Sequence, residues 1–235
     1  MIAESGWAGR VMSWLRVVAA LIVVNLLFVL GTVVGLVVLG LAPAALAATT
    51  CLTLMRDGEL ESGLVRTFAR TYRSRFWCAN LIGLPFGVIA VLLALDTAVL
   101  SALDGAVSAA LAGFTWVVGA GALLAFTAAL TVAVRYAETP GAVLRYAAVL
   151  PFTSPVMSLA LLVTLAVVGI ALGLLPMLIP LVGFAIVLFV AGWFVDHRLA
   201  ALDPDHPRAA DRHAADPVAA ELRADPLPAA AASGH

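Results

Sequence analysis

Between Val17 and Leu41 the chain runs for 25 residues with only Asn25 and Thr32 as polar interruptions. That exceeds the ~20 helical residues needed to cross a hydrocarbon core about 30 Å thick. Further apolar runs follow from about Trp77 to Leu100, from Val107 to Val134, and on both sides of residues 173–180. None alternates with the two-residue period of a membrane β-strand. The pattern predicts an all-α, polytopic transmembrane helix bundle. A chain that is 63% hydrophobic and 11% charged could not cover a soluble surface with polar groups.

The stretch "VVLGLAPAALAATT", residues 37–50, tests how the first run ends. Arg10, Arg16, the apolar run and Ala45-Leu46-Ala47 imitate a secretory leader, but a leader's apolar region is only ~7–15 residues long. The run is therefore read as a span and the stretch as a turn. The 13 basic residues are all Arg, and they cluster at 10 and 16, at 56–75, at 135 and 145, at 198, and at 208–223. Arginines flanking spans collect on the cytoplasmic side. Six spans keep every cluster on one face, with turns near Gly40 to Pro43, at Asp96 to Gly105 and at "GLLPMLIP" (173–180) on the other. Both termini are then cytoplasmic, and the membrane is crossed several times. Trp7, Trp14, Trp77 and Trp193 fall at the same inner boundary. The second span is the short one: Pro43 to Met55 covers only about 20 Å at 1.5 Å per residue. It is either re-entrant or begins earlier, near Leu39, with Pro43 inside it. Five spans with a broken first helix is the alternative.

Residues 61–77, "ESGLVRTFARTYRSRFW", form the most informative polar segment. Leu64, Phe68 and Tyr72 recur every four residues, and Arg66, Arg70, Arg73 and Arg75 take the remaining surface, the pattern of an interfacial amphipathic helix. Two readings stand: arginines that merely set topology, or a docking face for lipid or a partner, formed by Arg66, Phe68, Arg70, Tyr72, Arg73 and Arg75. "TPGAVLRYAAVL" (139–150) looks like a smaller counterpart.

The spans carry no ionisable group at mid-depth, the feature a pump or proton-coupled carrier would need. Asp96 reads as a cap at the outer boundary and Asp104-Gly105 as a turn. All four histidines follow the sixth span. No nucleophile with a base and no metal-type spacing is present, so no enzyme activity, cofactor or metal is expected. Cys51 and Cys78 are expected to be free thiols, and nucleic acid is not an implied partner. Two intramembrane polar residues remain, Asn25 and Asn80, with interhelical hydrogen bonding as their default role and a solute path as the other. Gly31-Gly35, Gly83-Gly87 and Gly169-Gly173 have the spacing that lets helix backbones approach closely.

Three stretches carry a family resemblance: "NLLFVLGTVVGLVVLGLAPAALAA" (25–48), "MRDGEL" (55–60) and "RTFARTYRSRFWCANLIG" (66–83). They combine an Asn in the first apolar helix, a Gly-rich turn followed by Pro-Ala, a basic-Gly-acidic turn, and an aromatic-basic helix running into a second Asn. Asn25, Gly40, Pro43, Ala44, Gly58, Phe68, Phe76 and Asn80 match. Over residues 10–95 the chain resembles the YesL-like bacterial membrane proteins, domain of unknown function 624. That family has no established activity, but its members are often encoded beside binding-protein-dependent sugar importers. The resemblance therefore implies a non-enzymatic accessory or scaffold for a carbohydrate (ABC-type) uptake system, with importer permease subunits and membrane lipids as partners. A small-solute channel or transporter is the alternative. Residues 1–198 form the transmembrane helical domain in this reading. Residues 199–235, rich in Ala, Pro and Asp, read as a disordered cytoplasmic tail.

Overall fold

A computed structural model describes residues 7–58, 63–102, 105–136, 139–153 and 155–202. Among them there is no strand. Eight α-helices follow one another: α1 (Trp7–Val34), α2 (Val38–Asp57), α3 (Leu64–Ser74), α4 (Phe76–Leu100), α5 (Ala106–Arg135), α6 (Pro140–Thr153), α7 (Pro155–Leu174) and α8 (Phe184–Leu202). Six helical stretches are long and apolar enough to cross a membrane: Trp14–Val34, Val38–Asp57, Phe76–Leu100, Ala106–Arg135, Pro155–Leu174 and Pro176–Leu199. The expected tail from residue 203 on, and Asp104, lie outside the described residues. The described residues up to 194 make up one compact unit, and those from 195 on belong to a second.

The first reversal falls at Gly35 to Val37, ahead of the 40–43 position expected from sequence. Leu36 and Val37 both have positive φ, 60° and 64°, which is unusual for any non-glycine residue and most so for the β-branched Val37, and marks a strained turn. The two helices of the hairpin nearly touch there. A Cβ on Gly35 would lie 2.2 Å from the Gly40 Cα, so only glycine fits. Because α2 begins at Val38, Pro43 lies inside it, and the helix reaches 20 residues. It ends on Gly58, which is left-handed (φ 76°) and returns its N–H to the Leu54 and Met55 carbonyls, the usual glycine stop.

The α4 and α5 helices form a long antiparallel pair. Phe86 packs on Phe126 with ring centroids 5.3 Å apart, and Leu93 reaches Gly119. In that register Gly83 lies at the level of Ala129 and Trp77 at the level of Arg135. The α2 helix crosses this pair obliquely. Its Ala42 meets Gly83, where an added Cβ would stand 2.4 Å from the Ala42 Cβ, and its Asp57 pairs with Arg135 at 2.6 Å. From Asp57 to Ala42 is about 22 Å of helix at 1.5 Å per residue. Along α4 and α5 the same two points are separated by only six residues, about 9 Å. Of the three Gly-x-x-x-Gly spacings, Gly31-Gly35 is a site of close approach at both positions and Gly83-Gly87 at Gly83 alone. A Cβ added at Gly87, Gly169 or Gly173 would meet no other element within 4 Å.

The second reversal matches the "GLLPMLIP" expectation. After α7, a 3-10 turn (Pro176–Leu178) and a π-helical turn (Ile179–Gly183) lead into α8. Leu124 of α5, Leu161 and Leu165 of α7 and Ala191 of α8 form a buried apolar cluster.

Candidate functional site

The α3 helix is held by one face and displays the other. Phe68 is buried, and its ring stacks near Tyr72 with centroids 6.1 Å apart. Both rings pack on Gly31, where a Cβ would come within 3.2–3.3 Å of them. The Tyr72 hydroxyl donates to the Gly31 carbonyl at 2.9 Å, and burial pushes its phenol above the ordinary value. At the other end of α3 the Cys51 thiol lies 3.7 Å from the Leu64 carbonyl. The helix therefore runs antiparallel along α2, from the level of Cys51 back to the α1–α2 turn. Arg66, Arg70 and Arg73, at spacings of four and three, are exposed on the opposite face.

This divides the six residues grouped together from sequence. Arg66, Arg70 and Arg73 form the displayed face. Phe68 and Tyr72 are turned into the α1–α2 hairpin and anchor the helix, because their rings fill the space left by Gly31 and Gly35. Arg75 is half-buried at the α3–α4 junction and donates to the Ala133 carbonyl of α5 at 2.6 Å, one of the carbonyls that a helix C-terminus leaves without an intrahelical donor. Its task is to tie α4 to α5. The smaller counterpart, α6, repeats the plan: Val143 and Ala147 are buried while Arg145 and Tyr146 are exposed.

The position of Tyr72 adds a geometric constraint to the expected six-span layout. Sequence placed the α1–α2 turn on one face of the membrane and residues 61–77 on the other. A tyrosine side chain cannot bridge ~30 Å of hydrocarbon, so the turn and α3 share a level. Placing α3 on the far face would set its three exposed arginines against the positive-inside rule.

Asn25 is fully buried. Its amide nitrogen donates to the Pro180 carbonyl at 2.6 Å, and its amide oxygen accepts from the backbone N–H groups of Phe184 and Ala185 at 2.9 and 3.0 Å. Phe28, one turn on, packs against Phe184 with centroids 4.9 Å apart. One side chain thus serves three backbone groups where the π-helical turn interrupts the regular ladder before α8. Sequence could single out Asn25 but not this partner, which lies 155 residues away. Asn80 differs from the expectation of an interhelical bond. Its amide donates to Phe76 one turn back in its own helix, at 3.0 Å, and its side chain borders a groove between α2, α4 and α5. Cys51 and Cys78 are both free. Among the described residues no group of three His, Cys, Asp or Glu side chains could hold a metal ion.

Sequence reasoning missed the Asp57–Arg135 pair, which is bidentate at 2.6 and 3.2 Å and joins the ends of α2 and α5. The only signal was that each residue ends an apolar run.

Apolar helices of spanning length, a polar residue repairing a broken helix and an amphipathic helix with an arginine face define a multi-pass helical membrane protein. Residues 21–97 match the model of the family described as "Protein of unknown function, DUF624". The same part of the chain bears the likeness to a curated relative, "Uncharacterized protein YteU" of Bacillus subtilis (strain 168), with 27% identity over 95 residues. The match covers 40% of this chain and 43% of that protein, so the chain spans less than half the length of the relative it matches. No solved structure matches.

Proposed function

We propose that the protein is a non-enzymatic accessory or scaffold in the bacterial cytoplasmic membrane, with both termini cytoplasmic, that docks permease subunits of a carbohydrate (ABC-type) importer. The observation behind this reading is the division of α3. Its aromatic face is spent on anchoring, while Arg66, Arg70 and Arg73 stand free of the hairpin on a helix too rigidly held to be a plain charged loop. Arginines that only set topology need no such fixed spacing. A fixed row of three guanidinium groups suits carboxylates on a partner's cytoplasmic loop, with lipid phosphates as the ground-state neighbours. The sugar importer as partner comes from the genomic neighbourhood that the family resemblance implies.

Affinity purification from native membranes followed by mass spectrometry tests it. Importer permease subunits should accompany the wild-type chain, and replacing Arg66, Arg70 and Arg73 by Gln should weaken their recovery while insertion is unchanged. Saturable sugar uptake by the isolated protein in liposomes would instead favour a transporter.

A further inference from the structure

We propose that the groove bordered by Asn80 holds one membrane phospholipid, with an acyl chain laid along α4 and the ester and phosphate region at the Asn80 amide. The groove runs between α2, α4 and α5 and has a volume of about 640 Å³. Its α4 wall extends from Asn80 to Leu93, about 20 Å at 1.5 Å per residue. One leaflet of a hydrocarbon core about 30 Å thick is about 15 Å deep. The groove is therefore long enough for a chain that reaches from the interface to mid-membrane.

Its walls are apolar except at one end. Among the described residues that line it, Asn80 alone has a polar side chain. The amide nitrogen carries two N–H donors, and one goes to the Phe76 carbonyl at 3.0 Å. The second N–H has no other partner among the described residues and suits an ester or phosphate oxygen, both of which accept. Asn80 lies four residues into the Phe76–Leu100 span, about 6 Å from its start. Trp77, just outside it, is 75% exposed, and α4 follows directly on α3 with its exposed Arg70 and Arg73. Interfacial rings and arginines collect where phosphates lie. The polar end of the groove is thus the end that meets the headgroup region, and the remainder is hydrocarbon-like, the pattern of an amphiphile.

The size of the groove favours a flexible chain over a partner helix. A helix about 20 Å long and 10–12 Å across occupies at least ~1,600 Å³, more than twice the volume available, so it would lie over the groove and leave its lining without contacts. An acyl chain can follow the wall. Room for it comes from small residues: a Cβ at Gly87 would meet nothing within 4 Å, and Gly119 and Ala122 line the α5 side. Leu84, Val88 and Val91 are more than half exposed in the protein alone, so hydrocarbon must cover them.

Native mass spectrometry of the full-length protein, delipidated in detergent and titrated with phosphatidylglycerol, tests the site. The wild type should bind one phosphatidylglycerol per chain saturably. Gly87→Phe should fill the groove and lose that binding, and Ala122→Leu gives the same readout should Gly87→Phe fail to insert. Gly169→Phe, also placed where a Cβ meets nothing within 4 Å but outside the groove, should bind as the wild type does. Asn80→Leu should weaken binding about two- to tenfold, the range for one lost hydrogen bond. Absence of saturable binding by the wild type would overturn the proposal, as would equal binding by the wild type and the filled variants, or equal loss in Gly169→Phe. A wild-type dimer that Gly87→Phe dissociates would also overturn it, because the groove would then take a second copy of the chain. None of these outcomes depends on an importer partner.

Discussion

Replacing Asn25 by Leu keeps the size of the side chain and removes all three of its hydrogen bonds. The Pro180 carbonyl and the N–H groups of Phe184 and Ala185 would then face apolar surroundings with no water to replace the amide. Side-chain hydrogen bonds within membranes average ~0.6 kcal/mol and reach ~1.7 kcal/mol, so three bonds correspond to roughly 2–5 kcal/mol. The upper part of that range is expected, because the groups left behind are backbone groups that cannot turn away to find other partners. Thr32→Val is the matched control: its hydroxyl bonds Phe28 within the same helix at 2.8 Å, and a change within ~0.5 kcal/mol is expected. Reversible unfolding in mixed detergent, followed by circular dichroism, measures both. Equal stability of the two variants would refute the account of Asn25 as the clasp between α1 and the start of α8. Solute flux that depends on Asn25, with stability unchanged, would place it in a pathway instead.

Two further outcomes follow from the packing of α2 and α3. Gly83→Ala should destabilise the fold by ~1–3 kcal/mol, since the new methyl group would overlap Ala42. Gly87→Ala, with open space around it, should be neutral or stabilising by up to ~1 kcal/mol, and thermal melts of the pair separate these cases. Tyr72→Phe should loosen α3 by ~1 kcal/mol, read as increased spin-label mobility at residue 66. Because the Tyr72 phenol is raised above its ordinary value of 10.0 in the folded protein, the neutral form is the one the fold favours. That stability is present below pH 10 and is lost as pH rises through the folded value, so alkaline loosening of α3 should be seen in the wild type and be absent in Tyr72→Phe.

The sequence by itself determined the fold class and most of the helix boundaries. Span-length apolar runs have one low-energy form in lipid, the hydrogen-bonded helix, and that constraint acts residue by residue along the chain. It also marked Asn25, the amphipathic 61–77 segment and the proline-flanked second reversal, because a polar group, a periodic arginine or a proline in such a setting stands out locally. What it could not supply were relations between distant elements. That Phe68 and Tyr72 face the hairpin, that Arg75 caps α5, that Asp57 meets Arg135 and that α2 lies oblique to α4 and α5 depend on which surfaces meet. The turn was displaced from 40–43 to 35–37 for the same reason. Gly40 and Pro43 look like turn residues in isolation, but close packing of Gly35 on Gly40 and of Gly83 on Ala42 makes the helical continuation through Pro43 the better solution. Periodicity fixes which face of a helix is apolar, whereas only tertiary packing decides what covers it.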